Sequence, residues 1–187
     1  MSTKAHASTE ELYQIPENGK AEIVNGELIL MAPTGFLPNR AASIIYMSLF
    51  QHERATKSGY AIADNAGFLV DLPNRSSFSP DAAWYTGRPT GMKFLEGAPA
   101  FAVEVRSEGD YGPAAEQRLA EKRADYFAAG TLCVWDLDVV SPDIVIRAYF
   151  AGKPLTALVF RRGDIAHAGD AVSGWSMPVD DLFEDEH

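Results

Sequence analysis

Cysteine is almost missing from this chain: its 187 residues include one, Cys133, set in the apolar run Leu132-Cys133-Val134-Trp135. A lone thiol builds neither a disulfide framework nor a cysteine metal centre within one chain, and the expected setting is a reducing cytoplasm. Long apolar runs are missing too. No stretch approaches the roughly 20 apolar residues that span a bilayer, and the polar start MSTKAHASTEE has no apolar signal core, so no membrane partner is expected. The histidines His6, His52, His167 and His187 are scattered without a paired metal-ligand spacing and read as surface or packing residues. The patterns G-x-S-x-G and G-x-x-x-x-G-K are absent, which removes the commonest hydrolase and NTPase readings. Repeats, low-complexity tracts and a dividing linker are absent as well. With 47% hydrophobic residues the chain can close one sizeable core, and a single domain over 1–187 is expected.

Positive charge is also scarce. Against 26 acidic residues stand 16 basic ones, a formal charge of −10. That balance argues against a broad basic surface of the kind sequence-independent DNA binders use. Part of the excess lies in the acidic C-terminal tail DDLFEDEH, remote from any site, and other carboxylates are available to surround a divalent cation.

What is present alternates between sheet and helix signals. Ser8-Thr9-Glu10-Glu11 marks a short helix start, and residues 21–31 read as a hairpin around Asn25-Gly26. From about Asn39 to Ser58 the cluster Ile44, Ile45, Met47, Leu49 and Phe50 predicts a largely buried helix stopped by Gly59. Strands are expected over 60–63, 67–72, 82–85 and 100–105. Pro113 then opens a helix over 114–129 with Gly130 as its C′ residue. Further strands follow at 133–137, 144–150, 155–160 and 164–166, with a turn at Ala151-Gly152-Lys153-Pro154. The fold class is α/β.

Two acids stand at informative places. Asp81 follows Pro80 at the start of a strand, and Glu104 interrupts the apolar strand Phe101-Ala102-Val103-Glu104-Val105. Neighbouring strands lie about 4.8 Å apart, so the two carboxylates meet if their segments pair. Oxygen ligands of this kind suit Mg²⁺ or Mn²⁺. Taken singly, each has an ordinary reading: Asp81 as a turn residue, Glu104 on an exposed strand face. The following helix carries Leu119, Lys122, Arg123, Tyr126 and Phe127 on one broad face, and a lysine there can stabilise phosphate charge or position water. Spacing alone does not choose between Lys122 and Arg123. Glu22, beside the hairpin, is open to cross-strand pairing, as is Glu27. Trp135 and Tyr126 read as core, and Arg161-Arg162 as a solvated strand edge.

The pieces Ala21-Glu22-Ile23-Val24-Asn25-Gly26-Glu27-Leu28, Ser79-Pro80-Asp81-Ala82-Ala83-Trp84, Phe101 to Ser107, Glu121-Lys122-Arg123-Ala124-Asp125-Tyr126 and Gly130 to Asp138 together resemble the Uma (Uma-two type) restriction-endonuclease family of the PD-(D/E)XK superfamily. The resemblance implies a restriction-endonuclease-like mixed β-sheet core flanked by helices. It implies that Asp81 and Glu104 bind metal, that Lys122 is the catalytic lysine carried on a helix, and that Glu22 adds a carboxylate. A strict E-x-K would place lysine at position 106, where this chain has Arg106, a poor proton acceptor. Similar sequences commonly carry a histidine before the first long helix, where this one reads Phe36-Leu37-Pro38-Asn39-Arg40. The expected activity is Mg²⁺-dependent cleavage of nucleic acid, DNA first, by a homodimer. The rivals are a non-catalytic nucleic-acid- or protein-binding module on the same scaffold, and a phosphodiesterase acting on a small molecule.

Overall fold

Asn25 and Gly26 both adopt positive φ, 51° and 70°, the conformation a two-residue hairpin turn demands. In the computed structural model, which describes residues 7–15 and 19–183, helix α1 (Thr9–Tyr13) therefore leads into the hairpin of β1 (Lys20–Val24) and β2 (Glu27–Met31). A long helix α2 (Phe36–Thr56) follows, then β3 (Tyr60–Ile62), β4 (Phe68–Leu72), β5 (Arg75–Phe78), β6 (Ala82–Tyr85), β7 (Leu95–Glu96) and β8 (Phe101–Val105). Helix α3 (Pro113–Ala128) connects β8 to β9 (Cys133–Leu137), which continues into β10 (Ile144–Phe150) and β11 (Lys153–Arg161). Short strands β12 (Ile165–His167) and β13 (Ser176–Pro178) form a small ribbon near the end. His6, His187 and the tail beyond Phe183 lie outside the described residues.

Two sheets organise the α/β fold. One runs β2-β1-β5-β4-β7; the other runs β11-β10-β9-β8-β6-β3. In the second sheet β6 and β8 are antiparallel neighbours, whereas β8 and β9 are parallel, as a crossover through α3 requires. Its central strands are buried on both faces. Phe101, Val103, Val105, Cys133, Trp135 and Leu137 belong to the core that includes α2, while Ala102 and Val134 belong to a second cluster with Phe68, Phe78 and Tyr126. The strand period of two therefore sends Glu104 to the face that carries Tyr126 of α3.

Three expectations need correction. Helix α2 buries one face, Ala41, Ala42, Ile45 and Leu49, and leaves Phe36, Leu37, Met47 and Phe50 exposed. Its apolar content exceeds what the sheet beneath can cover. Strand β5 was not expected, because its Arg75-Ser76-Ser77-Phe78 lacks an apolar pattern; its polar groups are satisfied internally instead, Ser77 Oγ accepting the Ile23 amide at 2.8 Å. Strand β11 starts at Lys153, so the preceding turn is tighter than the four residues expected.

Candidate active site

The chain passes from the first sheet to the second through Ser79-Pro80-Asp81, between β5 and β6. Asp81 is clamped there from both sides. Its amide donates to Val103 O at 3.0 Å, and its Oδ2 accepts the Val105 amide at 2.7 Å. The clamp sets the Asp81 carboxylate beside β8 at the residue next to Glu104. Helix α3 supplies the partners of Glu104: Lys122 Nζ donates to Oε2 at 2.8 Å and the Tyr126 hydroxyl to Oε1 at 2.7 Å. Lys122 and Tyr126 are one helical turn apart and share a face.

Glu22 enters from β1. Its Oε1 lies 2.9 Å from Lys122 Nζ and accepts the Ser79 amide at 2.8 Å, while Oε2 accepts Arg75 Nη1 at 2.6 Å. Arg75 continues to Asp125 Oδ2 at 2.8 Å. Lys20, also on β1, donates to Asp64 Oδ1 and Asp81 Oδ1, each at 2.7 Å. Two ion-paired groups thus adjoin at the seam between the two sheets, Glu22 and Glu104 with Lys122, and Asp81 and Asp64 with Lys20, the Val105 amide holding the second beside the first. Arg123, the alternative cation on α3, turns away and stacks over the Tyr149 ring at 3.7 Å.

One ammonium, Lys122, serves both Glu22 and Glu104. The Glu104 carboxyl is raised from 4.5 to about 7, chiefly by burial; Lys122 pulls against the rise, while Asp81 and Glu22 add to it. Burial also favours the protonated form of Glu22, but Lys122 and Arg75 together hold that carboxyl below its ordinary value. For Lys122, burial opposes the charge, and Glu104 and Glu22 outweigh it, keeping the amine protonated. Burial and Glu104 push the Tyr126 phenol well above its ordinary range, so it donates to Glu104 as a neutral hydroxyl.

Arg106 occupies the position where a strict E-x-K places its lysine. It makes a forked contact with Asp136, Nε and Nη2 each at 2.7 Å from a carboxylate oxygen, and a second contact with Glu116. Its role is to tie β8, β9 and α3 together. The sequence reading missed Lys20, Asp64, Arg75 and Tyr126 as members of the network. Lys20 carried a usable signal, since it lies two residues before Glu22 on one strand face; Tyr126 carried another, four residues after Lys122. Arg75 and Asp64 carried none. His52 packs near Trp84, and His167 is exposed, its Nδ1 accepting the Gly169 amide.

The sequence matches a family described as Uma2, putative restriction endonuclease, over residues 9–180. The chain belongs to the Uma2 family. Among solved structures, its fold is similar to a crystal structure described as a putative nuclease belonging to DUF820 from Anabaena variabilis, with a TM-score of 0.72, 16% identity, and coverage of 95% of this chain and 97% of that one. A search of curated proteins finds no match. The Uma2 chain thus has a restriction-endonuclease-like fold. No helix among its described residues is long and apolar enough to cross a membrane.

Restriction-endonuclease-like families generally use divalent metals. Among the described residues no group of three or more His, Cys, Asp and Glu gathers to enclose an ion. The donors available are the carboxylates of Asp81 and Glu104, and a pair of oxygen ligands suits a cation that keeps several waters, as Mg²⁺ does.

Proposed function

We propose that this Uma2 chain is a metal-dependent endonuclease that hydrolyses phosphodiester bonds of nucleic acid, with DNA as the favoured substrate. Asp81 and Glu104 would hold Mg²⁺ or Mn²⁺, and Glu22 and Lys122 complete the catalytic group. The observation that carries this reading is the clamp of Asp81 onto the Val105 amide, directly beside Glu104 and its partner Lys122. A cation bound by this pair would polarise the phosphate and lower the pKa of a bound water. The protein's part is position and charge. Tyr126 and the Val105 amide fix the two carboxylates. An ammonium has three N–H donors, and Lys122 gives one each to Glu22 and Glu104, which leaves one for a phosphate oxygen or the attacking water. Glu104 and Glu22 keep Lys122 in place and charged, and Arg75 fixes Glu22.

Asp81→Ala and Glu104→Ala are expected to lower Mg²⁺-dependent cleavage of DNA by at least about a hundredfold while retaining the native circular dichroism spectrum. Undiminished cleavage in both variants would sink the assignment. Cutting both strands of a duplex is simplest with two symmetry-related sites, so we place the active form as a homodimer, in the cytoplasm. A small phosphorylated substrate is the second reading. It is favoured by the commitment of Lys20, Arg75, Arg106 and Lys122 to internal carboxylates, which leaves less positive charge for a long polyanion.

A further inference from the structure

Lys20 has no part in the reading above, yet it covers one of the proposed ligand oxygens. Its ammonium lies 2.7 Å from Asp81 Oδ1 and 2.7 Å from Asp64 Oδ1, with the lysine side chain 13% exposed. The other oxygen of Asp81 is taken by the Val105 amide. Lys122 sits on Glu104 and Glu22, so the charge of Asp81 is met by Lys20 alone among the ion pairs of the described residues. We infer that Lys20 is the resident counter-cation of the Asp81–Glu104 pair, that a divalent ion competes with it for Asp81, and that Asp64 is the second carboxylate that holds it there.

The argument rests on the metal-dependent reading and on charge. An ammonium bonded to a carboxylate oxygen lies within a few ångströms of any cation on that carboxylate, and in a half-buried site like charges at that range repel strongly. Without a divalent ion the ammonium neutralises carboxylates that would otherwise repel one another at the seam. Metal affinity is thereby set below what the carboxylates alone would give.

The test is calorimetric titration of the full chain with MnCl₂, comparing wild type, Lys20→Met, Lys20→Gln and Asp81→Ala. Lys20→Met and Lys20→Gln are expected to bind Mn²⁺ at least about tenfold more tightly than wild type. They should also melt at a lower temperature without metal and gain more in melting temperature on adding Mn²⁺. The glutamine variant keeps a polar side chain at the seam should the methionine variant fold poorly. Equal or weaker Mn²⁺ affinity in the Lys20 variants, with binding lost in Asp81→Ala, overturns this inference and leaves the metal reading standing. Absence of Mn²⁺ binding in wild type and both Lys20 variants overturns the two together.

Discussion

Glu104 is held at both carboxylate oxygens, by Lys122 and Tyr126. Burial chiefly, with Asp81 and Glu22 adding and Lys122 offsetting part, raises its carboxyl to about 7. The sign of the consequence follows from proton counts. Between pH 4.5 and about 7 the folded chain retains this proton while the unfolded chain has released it, so the Glu104 contribution to stability falls as pH rises through that window. The slope is at most about 1.4 kcal/mol per pH unit. Glu22 has the opposite sign: its lowered carboxyl contributes stability above its ordinary value that is lost as pH falls below it. Thermal melts of the metal-free protein and of Glu104→Gln from pH 5 to 8 are expected to diverge, the wild type losing melting temperature relative to the variant as pH rises. Parallel profiles would mean that Glu104 titrates as it does in water. Asp81 and Glu104 were legible because each breaks a local pattern, an acid at a strand start and an acid within an apolar strand, whereas Lys122 was set apart from Arg123 by the family resemblance alone. Arg75 was not, because its partners Glu22 and Asp125 lie 53 and 50 residues away along the chain and no local pattern announces them.

At the scale of elements, the hairpin, α3 and the central strands could be read from turn residues, Pro113, Gly130 and apolar runs, and β5 could not. Its residues satisfy the sheet through buried polar contacts rather than through alternation, which is why a periodicity argument passes over it. Arg75 is its anchor. The side chain is 6% exposed and joins β5 to Glu22 on β1 and to Asp125 on α3. Removing it leaves one oxygen of the nearly buried Glu22 without its partner, Lys122 and the Ser79 amide holding only the other, and weakens the hold on Asp125. Arg75→Met is expected to cost about 3–5 kcal/mol in urea denaturation, the range for breaking one side of a buried pair. Arg75→Lys should recover part of that loss, since an ammonium keeps the charge without the fork that reaches two acids. A loss below about 1 kcal/mol for Arg75→Met would show that β5 is held by its ladder alone.

Across the whole molecule, charge is the governing feature. The balance of −10 was legible from composition, but where the cations go was not. Among the described residues Lys20, Arg75, Arg106, Lys122, Arg161 and Arg162 each pair with a carboxylate of the chain itself. DNA affinity in the absence of divalent ions should therefore fall by less than about a thousandfold between 50 and 200 mM salt, the loss that about six phosphate contacts would produce. Fluorescence anisotropy with a labelled duplex measures it, and a steeper dependence would reveal a basic face that these pairings do not suggest. The seam has a different kind of consequence. Lys20 and Glu22 come from one sheet, Asp81 from the crossing, Glu104 from the other sheet and Lys122 from α3, so parting the sheets pulls several ion pairs open before water has filled the gap between them. That passage is costly at the barrier even where the net worth of each pair is small. The carboxylates of the candidate site are therefore expected to act also on the lifetime of the folded chain, through the rate at which its two halves come apart.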